Sequence, residues 1–227
     1  MIGYDEIIRQ FEMLRSSENI EGMAKFGINT GSAYGISIPK LRGMAKRAGR
    51  DHRLAQRLWS SGIHEARILA TMVEDPAMAT EQNLDRWVSE FDSWDVCDQC
   101  CGNLYINMPF AYRKAVEYSG YEKEFVKRAG FVLMAELAVH ADGMADEKFT
   151  ALFPHIRRGS TDDRNFVKKA VNWALRQIGK RNPGLNAAAI SLAEEISATD
   201  SASAKWIAKD ALRELRSEKV QGRLKGT

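Results

Sequence analysis

Apolar residues recur at spacings of three and four along nearly the whole chain, while the alternation typical of β-strands is scarce. This period places apolar side chains on one face of an α-helix. Short breaks that carry glycine, proline or asparagine separate the periodic stretches. The pattern predicts an all-α protein with helices over residues 1–14, 39–49, 51–60, 64–74, 79–91, 94–106, 109–118, 122–139, 145–154, 162–180, 186–197 and 202–217.

The stretch Gly22–Gly35 carries four glycines and is predicted to be less regular than the rest. It leads into Ser37, Ile38 and Pro39, where an extended piece should end and a helix should begin. Proline suits the first helical turn, because the amide hydrogen it lacks would have no partner inside the helix there.

Short segments repeat in the later part of the chain. Phe125–Ala129 and Phe166–Ala170 are near copies, and Ala174–Arg176 recurs as Ala211–Arg213. A two-helix unit of about 40 residues is typical of HEAT or armadillo repeats. Such units stack because none can bury its apolar face alone. The sequence therefore predicts one right-handed α-solenoid domain over residues 1–219 with a concave face, then a polar, frayed C-terminal tail over 220–227.

Composition limits the class of protein. Hydrophobic residues make up 44% of the chain and charged residues 28%, as in an ordinary soluble globular protein. No apolar run approaches the roughly 18 residues of a membrane span, and the N-terminus lacks the order of a signal peptide. A cytoplasmic protein is expected. With 33 basic and 30 acidic residues the net charge is only +3, so any nucleic-acid surface must come from how the charges are distributed.

The three cysteines, Cys97, Cys100 and Cys101, lie within five positions. An odd, crowded set does not indicate a disulfide framework. Zinc needs about four ligands, and no second Cys or His pair has suitable spacing. The cysteines are therefore expected to be buried thiols, with a metal or redox role as the less favoured alternative. Neither a metal nor a cofactor is predicted.

The segment from Asp92 to Asp98 combines an indole and a carboxylate. Asp92 or Ser93 can cap the helix, and Asp95 lies in the first turn, where the helix dipole favours a carboxylate. Trp94 and Asp98 are four positions apart and share a face. Together they can bind a positively charged or electron-poor group. From these residues alone, a capped helix with a core Trp and a surface Asp is the favoured alternative.

Basic residues form stripes on three later helices. One stripe, with a tryptophan inside it, consists of Lys169, Trp173, Arg176 and Lys180. A second lies on the last predicted helix and consists of Lys205, Lys209, Arg213 and Arg216, and an earlier helix adds Lys123, Lys127 and Arg128. If these helices line the concave face, they form a positive groove for a polyanion. A set of separate, solvated basic faces remains the alternative.

Four segments together give a more specific signal: residues 35–42, 93–98, 127–129 and 169–176. In order and approximate interval they resemble the AlkD-type DNA alkylation-repair family of HEAT-like glycosylases, over most of the chain. The set of Trp-Asp-x-x-Asp, a later Arg-Ala and a still later Trp-x-x-Arg carries most of this resemblance.

The resemblance implies roles for individual residues. Asp98 corresponds to the catalytic carboxylate, and Trp94 and Trp173 to the aromatic residues that contact the sugar of the damaged nucleotide. Arg128 corresponds to a cleft residue on the DNA backbone, and Arg176 to a phosphate ligand. The remaining expected DNA-binding residues are Phe26, Arg42, Lys169, Lys180, Lys205 and Lys209.

Two positions depart from the family pattern. Phe26 stands where the family can carry tyrosine, which keeps stacking but removes a hydroxyl. Ile38 replaces a threonine before Pro39, which removes one minor backbone contact.

The resemblance implies a monomeric, cofactor-free DNA glycosylase acting in base excision repair. Its partner would be double-stranded DNA that contains cationic N3- or N7-alkylated purines, with the lesion left stacked in the duplex. No lysine is singled out as a Schiff-base nucleophile, so hydrolysis without strand cleavage is expected. A HEAT-like DNA-binding paralogue without activity is the main alternative, and a protein-binding helical scaffold is a further one.

Overall fold

The computed structural model describes residues 1–225. These residues form α-helices joined by short turns, with no strand among them, as predicted. A 3-10 turn, Tyr105–Asn107, follows α7. The helices are α1 Tyr4–Met13, α2 Ser17–Lys25, α3 Ile38–Ala48, α4 His52–Ser60, α5 His64–Val73, α6 Glu81–Ser89, α7 Trp94–Asn103, α8 Ala111–Tyr118, α9 Glu124–His140, α10 Asp146–Thr150, α11 Phe153–Gly159, α12 Asn165–Gly179, α13 Pro183–Ser197, α14 Ala202–Leu215 and α15 Glu218–Lys225.

The backbone divides into two compact units, one formed by Met1–Met108 and one that begins at Pro109. In the first unit Trp59 and Trp87 are fully buried, and their rings stack with centroids 4.3 Å apart. In the second unit the long helix α9 packs against α8 and α12, and α14 packs against α12 and α13. The single domain predicted over residues 1–219 stays a prediction.

Hydrogen bonds at regular sequence separations link successive helices of each unit. In the second unit, Arg128 bonds to the carbonyl of Phe166 and Asn172 to Asp210, each pair 38 positions apart. This agrees with the predicted unit of about 40 residues. In the first unit, Trp59 bonds to Glu90 across 31 positions. The first unit therefore has a shorter period, which the sequence pattern did not indicate.

Helix α2 lies partly within the stretch predicted to be irregular. Its start is set by a cap, since the Ser16 hydroxyl accepts a hydrogen bond from the Asn19 amide. None of its residues is buried. Without a buried apolar stripe, the periodicity that revealed the other helices is absent.

The helix predicted over 145–154 is in fact two, α10 and α11. Pro154 lies in the first turn of α11, where it is well tolerated. By contrast, the prediction that Pro39 opens a helix is confirmed, with Ser37 as the N-cap of α3.

The predicted polar, frayed tail is wrong for residues 220–225, which belong to α15. Val220 and Leu224 lie four positions apart and are only 7% and 6% exposed. Such a pair forms one apolar face and holds a short helix against its neighbour. The last two tail positions, 226 and 227, lie outside the described residues. Within residues 1–225, no helix combines the length and apolar character needed to cross a bilayer.

Candidate functional site

Helix α7 presents two different faces. Ser93 is its N-cap, and Val96, Cys97, Cys100 and Cys101 are completely buried. Trp94 and Asp98 lie one turn apart and are each only half-buried. The alternative in which Trp94 is a core residue is therefore excluded. The buried face fixes the helix, which leaves an indole and a carboxylate partly open to solvent.

The three thiols form part of the core of the first unit, as predicted. All are free cysteines. Burial raises the pKa of the Cys100 and Cys101 thiols well above the ordinary value. They remain protonated at neutral pH and serve to pack α7 in place.

The exposed aromatic ring of Phe26 belongs to the segment that contacts Trp94. The indole Nε1 of Trp94 donates a hydrogen bond of 3.1 Å to the Phe26 carbonyl oxygen. Phe26 ends α2, and 72% of its surface is exposed. Trp94 therefore contacts the backbone of a residue whose own ring is open to solvent. The first unit thus brings together Phe26 and Trp94, with Asp98 one turn further along the same helix.

A buried carboxylate holds the glycine-rich segment that follows Phe26. Glu65 is fully buried, and its carboxylate accepts hydrogen bonds from the backbone amides of Tyr34, Gly35 and Ile36 at 2.6–3.1 Å. Gly35 has φ +76, and a Cβ there would lie 2.5 Å from the Ser16 carbonyl oxygen. Only glycine fits this position. The segment is thereby fixed at its end by α5.

The same segment is also tied to the loop before α7. The Asn29 amide donates to an Asp92 carboxylate oxygen at 2.9 Å. Arg67 approaches that same oxygen at 3.4 Å. These contacts join the segment, α5 and the start of α7. The sequence pattern did not single out Glu65, Asn29 or Arg67, since each acts on residues 25 to 63 positions away.

A buried ion pair anchors the first turn of α7. The ring nitrogen Nε2 of His64 lies 2.9 Å from Asp95, and His64 is only 4% exposed. Burial by itself lowers the pKa of His64, but the hydrogen bond and charge of Asp95 outweigh it and raise that pKa. Burial raises the pKa of Asp95, while bonds from His64, Ser93 and the Val96 amide lower it overall. Asp95 therefore stabilises the helix start and also binds α5.

This pair predicts a pH-dependent stability. The raised pKa of His64 means that its contribution is complete below the ordinary value of 6.5 and is lost as the pH rises through the raised value. The lowered pKa of Asp95 means that its contribution is present above 3.8 and is lost as the pH falls through the lowered value. We expect His64→Gln to reduce the free energy of unfolding more at about pH 5.5 than at about pH 8.5.

Urea unfolding at the two pH values measures this difference. His140→Gln is the matched control, because His140 also pairs with a carboxylate, that of Glu136, but its own side chain is 60% exposed and should contribute little. An equal loss of stability for His64→Gln at both pH values would contradict the expected charge on the histidine.

In the second unit, Arg128 is buried and barely exposed to solvent. It is 5% exposed, and its guanidinium donates to the Phe166 carbonyl oxygen at 2.6 Å. The neighbouring Lys127 pairs with Asp162 at 3.0 Å. These bonds tie α9 to the start of α12. In this structure Arg128 links two helices, and the DNA contact expected of it stays a prediction.

The basic stripe of α12 is only partly available. Lys169 is exposed and Trp173 is half-buried. Arg176 and Lys180 both pair with Glu214 of α14. Burial raises the pKa of Glu214, but Lys180 and Arg176 together lower it. The sequence pattern missed this acidic partner because it lies one repeat later in the chain.

The basic residues of α14 also divide into exposed residues and residues held in ion pairs. Lys205 and Lys209 are exposed, although Lys205 lies 3.4 Å from the exposed Asp200. Arg213 pairs with Asp210, and Arg216 pairs with Glu194. The exposed lysines therefore remain as the part of this stripe that is best suited to phosphate.

Two further residues complete the account of the predicted site. Arg42 is exposed on α3 of the first unit. Trp206 on α14 is 41% exposed and was missed by sequence reasoning. Its position directly after Lys205 and three before Lys209 is the signal that could have revealed it. The first unit thus carries Phe26, Arg42, Trp94 and Asp98, and the second carries the other predicted residues.

Comparisons with known proteins bear on the family and on the repeated helices. Residues 7–215 match the protein family described as DNA alkylation repair enzyme. The chain belongs to this family. A comparison of its sequence with curated proteins finds no match. The predicted family resemblance is confirmed, and the matched range includes all of the predicted site residues.

The chain is also similar to a solved structure described as belonging to a new family of proteins related to the HEAT-like repeat DNA glycosylases with affinity for branched DNA structures. The TM-score is 0.82 at 17% sequence identity, over 98% of this chain and 96% of that one. At this identity the likeness establishes the fold, so the predicted HEAT-like repeat fold is confirmed. An engineered protein is less similar, with a TM-score of 0.38 at 16% identity over 78% of this chain and 90% of that one.

Proposed function

We propose that this member of the DNA alkylation repair family is a DNA glycosylase that removes cationic N3- and N7-alkylated purines from double-stranded DNA. The observation that carries the proposal is the half-buried pair of Trp94 and Asp98 on α7. A carboxylate and an indole one turn apart suit a cationic centre better than they suit a neutral one.

The chemistry follows from the charge of the lesion. The bond between C1′ and the purine nitrogen breaks, and the base leaves as a neutral molecule with the electron pair, so no general acid is required. The sugar is left with oxocarbenium character. Asp98 stabilises this charge and orients the water that adds to C1′, whose surplus proton passes to solvent. The Trp94 ring contributes about 1–2 kcal/mol of cation–π-type stabilisation if it is desolvated.

DNA binding is assigned to the basic residues that the structure leaves exposed. Lys169, Lys205, Lys209 and Arg42 are proposed to contact phosphates. The resemblance further implies Trp173 on the sugar and Arg128 on the backbone, and Arg128, at 5% exposure, would have to give up its bond to the Phe166 carbonyl to do so. When lysine and arginine side chains neutralise phosphates, counterions condensed on the DNA are released. The affinity for DNA should therefore fall as the salt concentration rises. Arg176 and Lys180 can contribute only in competition with Glu214.

Removing Glu214 should therefore strengthen DNA binding. In Glu214→Gln both cations lose the Glu214 carboxylate, and Arg176 keeps only a longer contact of 3.7 Å to Asp210, so both become more available to phosphates. We expect affinity for duplex DNA to rise several-fold, and the slope of log K against log salt to steepen by about 1 to 2. Fluorescence anisotropy with a labelled duplex at several salt concentrations measures both quantities.

Glu195→Gln is the matched control, since Glu195 pairs with Arg157 on exposed surfaces of α11 and α13. It removes the same charge from the chain but leaves Arg176 and Lys180 paired. If both variants bind DNA equally well with equal salt slopes, then Arg176 and Lys180 do not reach phosphate.

A second candidate function is binding to branched DNA without base removal. It is favoured by the full-length similarity to a protein whose own family has affinity for branched DNA structures. Incubating the protein with methylated DNA and measuring released 7-methylguanine and 3-methyladenine separates the two candidates. Release supports the glycosylase. Absence of release, together with tight binding to a four-way junction, supports the second function.

The proposed retention of the lesion within the duplex has its own test. Without a pocket for the base, the size of the adduct should matter little. Release of methylated bases with no release of any bulky N7 adduct would count against this part of the proposal.

A further inference from the structure

Trp206 on α14 is the most exposed of the five tryptophans. Trp59 and Trp87 are 1% and 0% exposed, whereas Trp206 is 41% exposed, and Trp94 and Trp173 lie between these values. Tryptophan has the largest apolar side chain, and a ring left open to water forgoes the stabilisation that burial would supply. The proposed mechanism does not use this residue, so its exposure requires another account.

One cation lies over the Trp206 ring, and two more follow or precede Trp206 closely on the same helix. The ammonium of Lys168 on α12 lies 5.1 Å from the ring centroid. Lys205 and Lys209, one position before and three positions after Trp206 on α14, are both exposed. The ring therefore lies under one lysine, on a helix that carries two other exposed lysines within three positions of it. Two-fifths of the residue remains open to solvent with the ammonium in place.

Nearby acidic groups do not cancel this charge. Asp210, one turn after Trp206, already binds Asn172 and Arg213. Asp200 lies 3.4 Å from Lys205, but both groups are exposed, so the pair is weak and is screened by salt. The local surface is an aromatic platform with net positive charge.

An exposed aromatic ring among cations suits single-stranded nucleic acid. Every base has a π-face, so stacking tolerates any sequence, while lysines follow the phosphates. Bases inside a duplex cannot present that face to a protein ring. An apolar pocket of a protein partner would have to desolvate Lys168, which makes it a poorer fit.

We propose that Trp206, with Lys168, Lys205 and Lys209, stacks on an unpaired nucleobase of single-stranded DNA next to a duplex. The inference rests on the DNA-binding part of the proposed function, but it does not depend on base removal. It names the preferred partner as duplex DNA that carries a single-stranded extension. Lys168 orients the ring, and the flanking lysines bind phosphates on either side of the stacked base.

The test compares a blunt duplex with the same duplex carrying a single-stranded overhang. We expect the wild-type protein to bind the overhang form more tightly, and Trp206→Ala to weaken that binding by about tenfold. Binding to the blunt duplex should stay within about twofold, since the lysines remain. Trp206→Phe should restore most of the preference, because a phenyl ring still stacks. A 2-aminopurine base in the overhang should lose fluorescence on binding wild type but not Trp206→Ala.

Tyr121→Ala is the matched control, because Tyr121 is an exposed aromatic residue, 46% accessible, in the same unit. It should leave both affinities unchanged. Equal losses on both DNAs, or an equal effect of Tyr121→Ala, would overturn the proposal. Base release without any overhang preference overturns the Trp206 site alone, while overhang preference without base release overturns the glycosylase alone.

Discussion

Asp98→Asn is expected to lower the rate of 7-methylguanine release from methylated DNA by about 100-fold or more, with little change in DNA affinity. The substitution keeps the size of the side chain but removes the negative charge that stabilises the sugar cation. Loss of one preorganised electrostatic group typically costs about 10²–10³ in rate. Single-turnover release, measured with enzyme in excess, isolates the chemical step from product dissociation.

Two companion variants make this result specific. Asp163→Asn removes the same charge from an exposed position in the second unit and should leave release unchanged. Trp94→Phe keeps an aromatic face but loses the hydrogen bond to the Phe26 carbonyl, so an intermediate loss is expected. Full activity in Asp98→Asn would show that this carboxylate is not the catalytic group.

Local signals in the sequence predict much of the fold and part of the site. The start of α3 at Ile38 follows from Pro39, and the spacing of Trp94 and Asp98 places them on one face of α7. Both inferences depend on residues within one or two helical turns. Such short-range rules hold because helix geometry and capping act over the same distance.

Long-range partners could not be predicted in this way. The pairing of Arg176 with Glu214 spans 38 positions, and it turns a predicted phosphate ligand into one half of an ion pair. The contact between Lys168 and the Trp206 ring joins the same two helices, α12 and α14, across 38 positions. Helix α2 escaped prediction for a different reason, since it has a cap but no buried face. A repeat period near 38 would have aligned these partners, but the visible sequence echoes are too few to fix it.

Glu65 is expected to be the costliest single polar residue to remove from the first unit. Its buried carboxylate is the shared acceptor of the Tyr34, Gly35 and Ile36 amides. Glu65→Ala leaves those amides without this acceptor, and each unpaired buried group costs about 1–3 kcal/mol. A loss of about 3–5 kcal/mol in the free energy of unfolding is therefore expected, comparable to breaking a buried ion pair. Glu65→Gln should lose less, because one oxygen remains, but its amide hydrogens would face backbone N–H groups.

Urea unfolding followed by far-UV circular dichroism measures these losses, with Glu21→Ala on the exposed face of α2 as the control at about 0.5 kcal/mol or less. The consequence should reach the site, because the Glu65-bound segment follows Phe26, whose carbonyl accepts from Trp94. In Glu65→Gln the Trp94 indole hydrogen should exchange with solvent faster than in wild type, as read by NMR. If Glu65→Ala unfolds at the same urea concentration as Glu21→Ala, the carboxylate does not hold this segment. Placement of the indole beside Asp98 must then come from α7 alone.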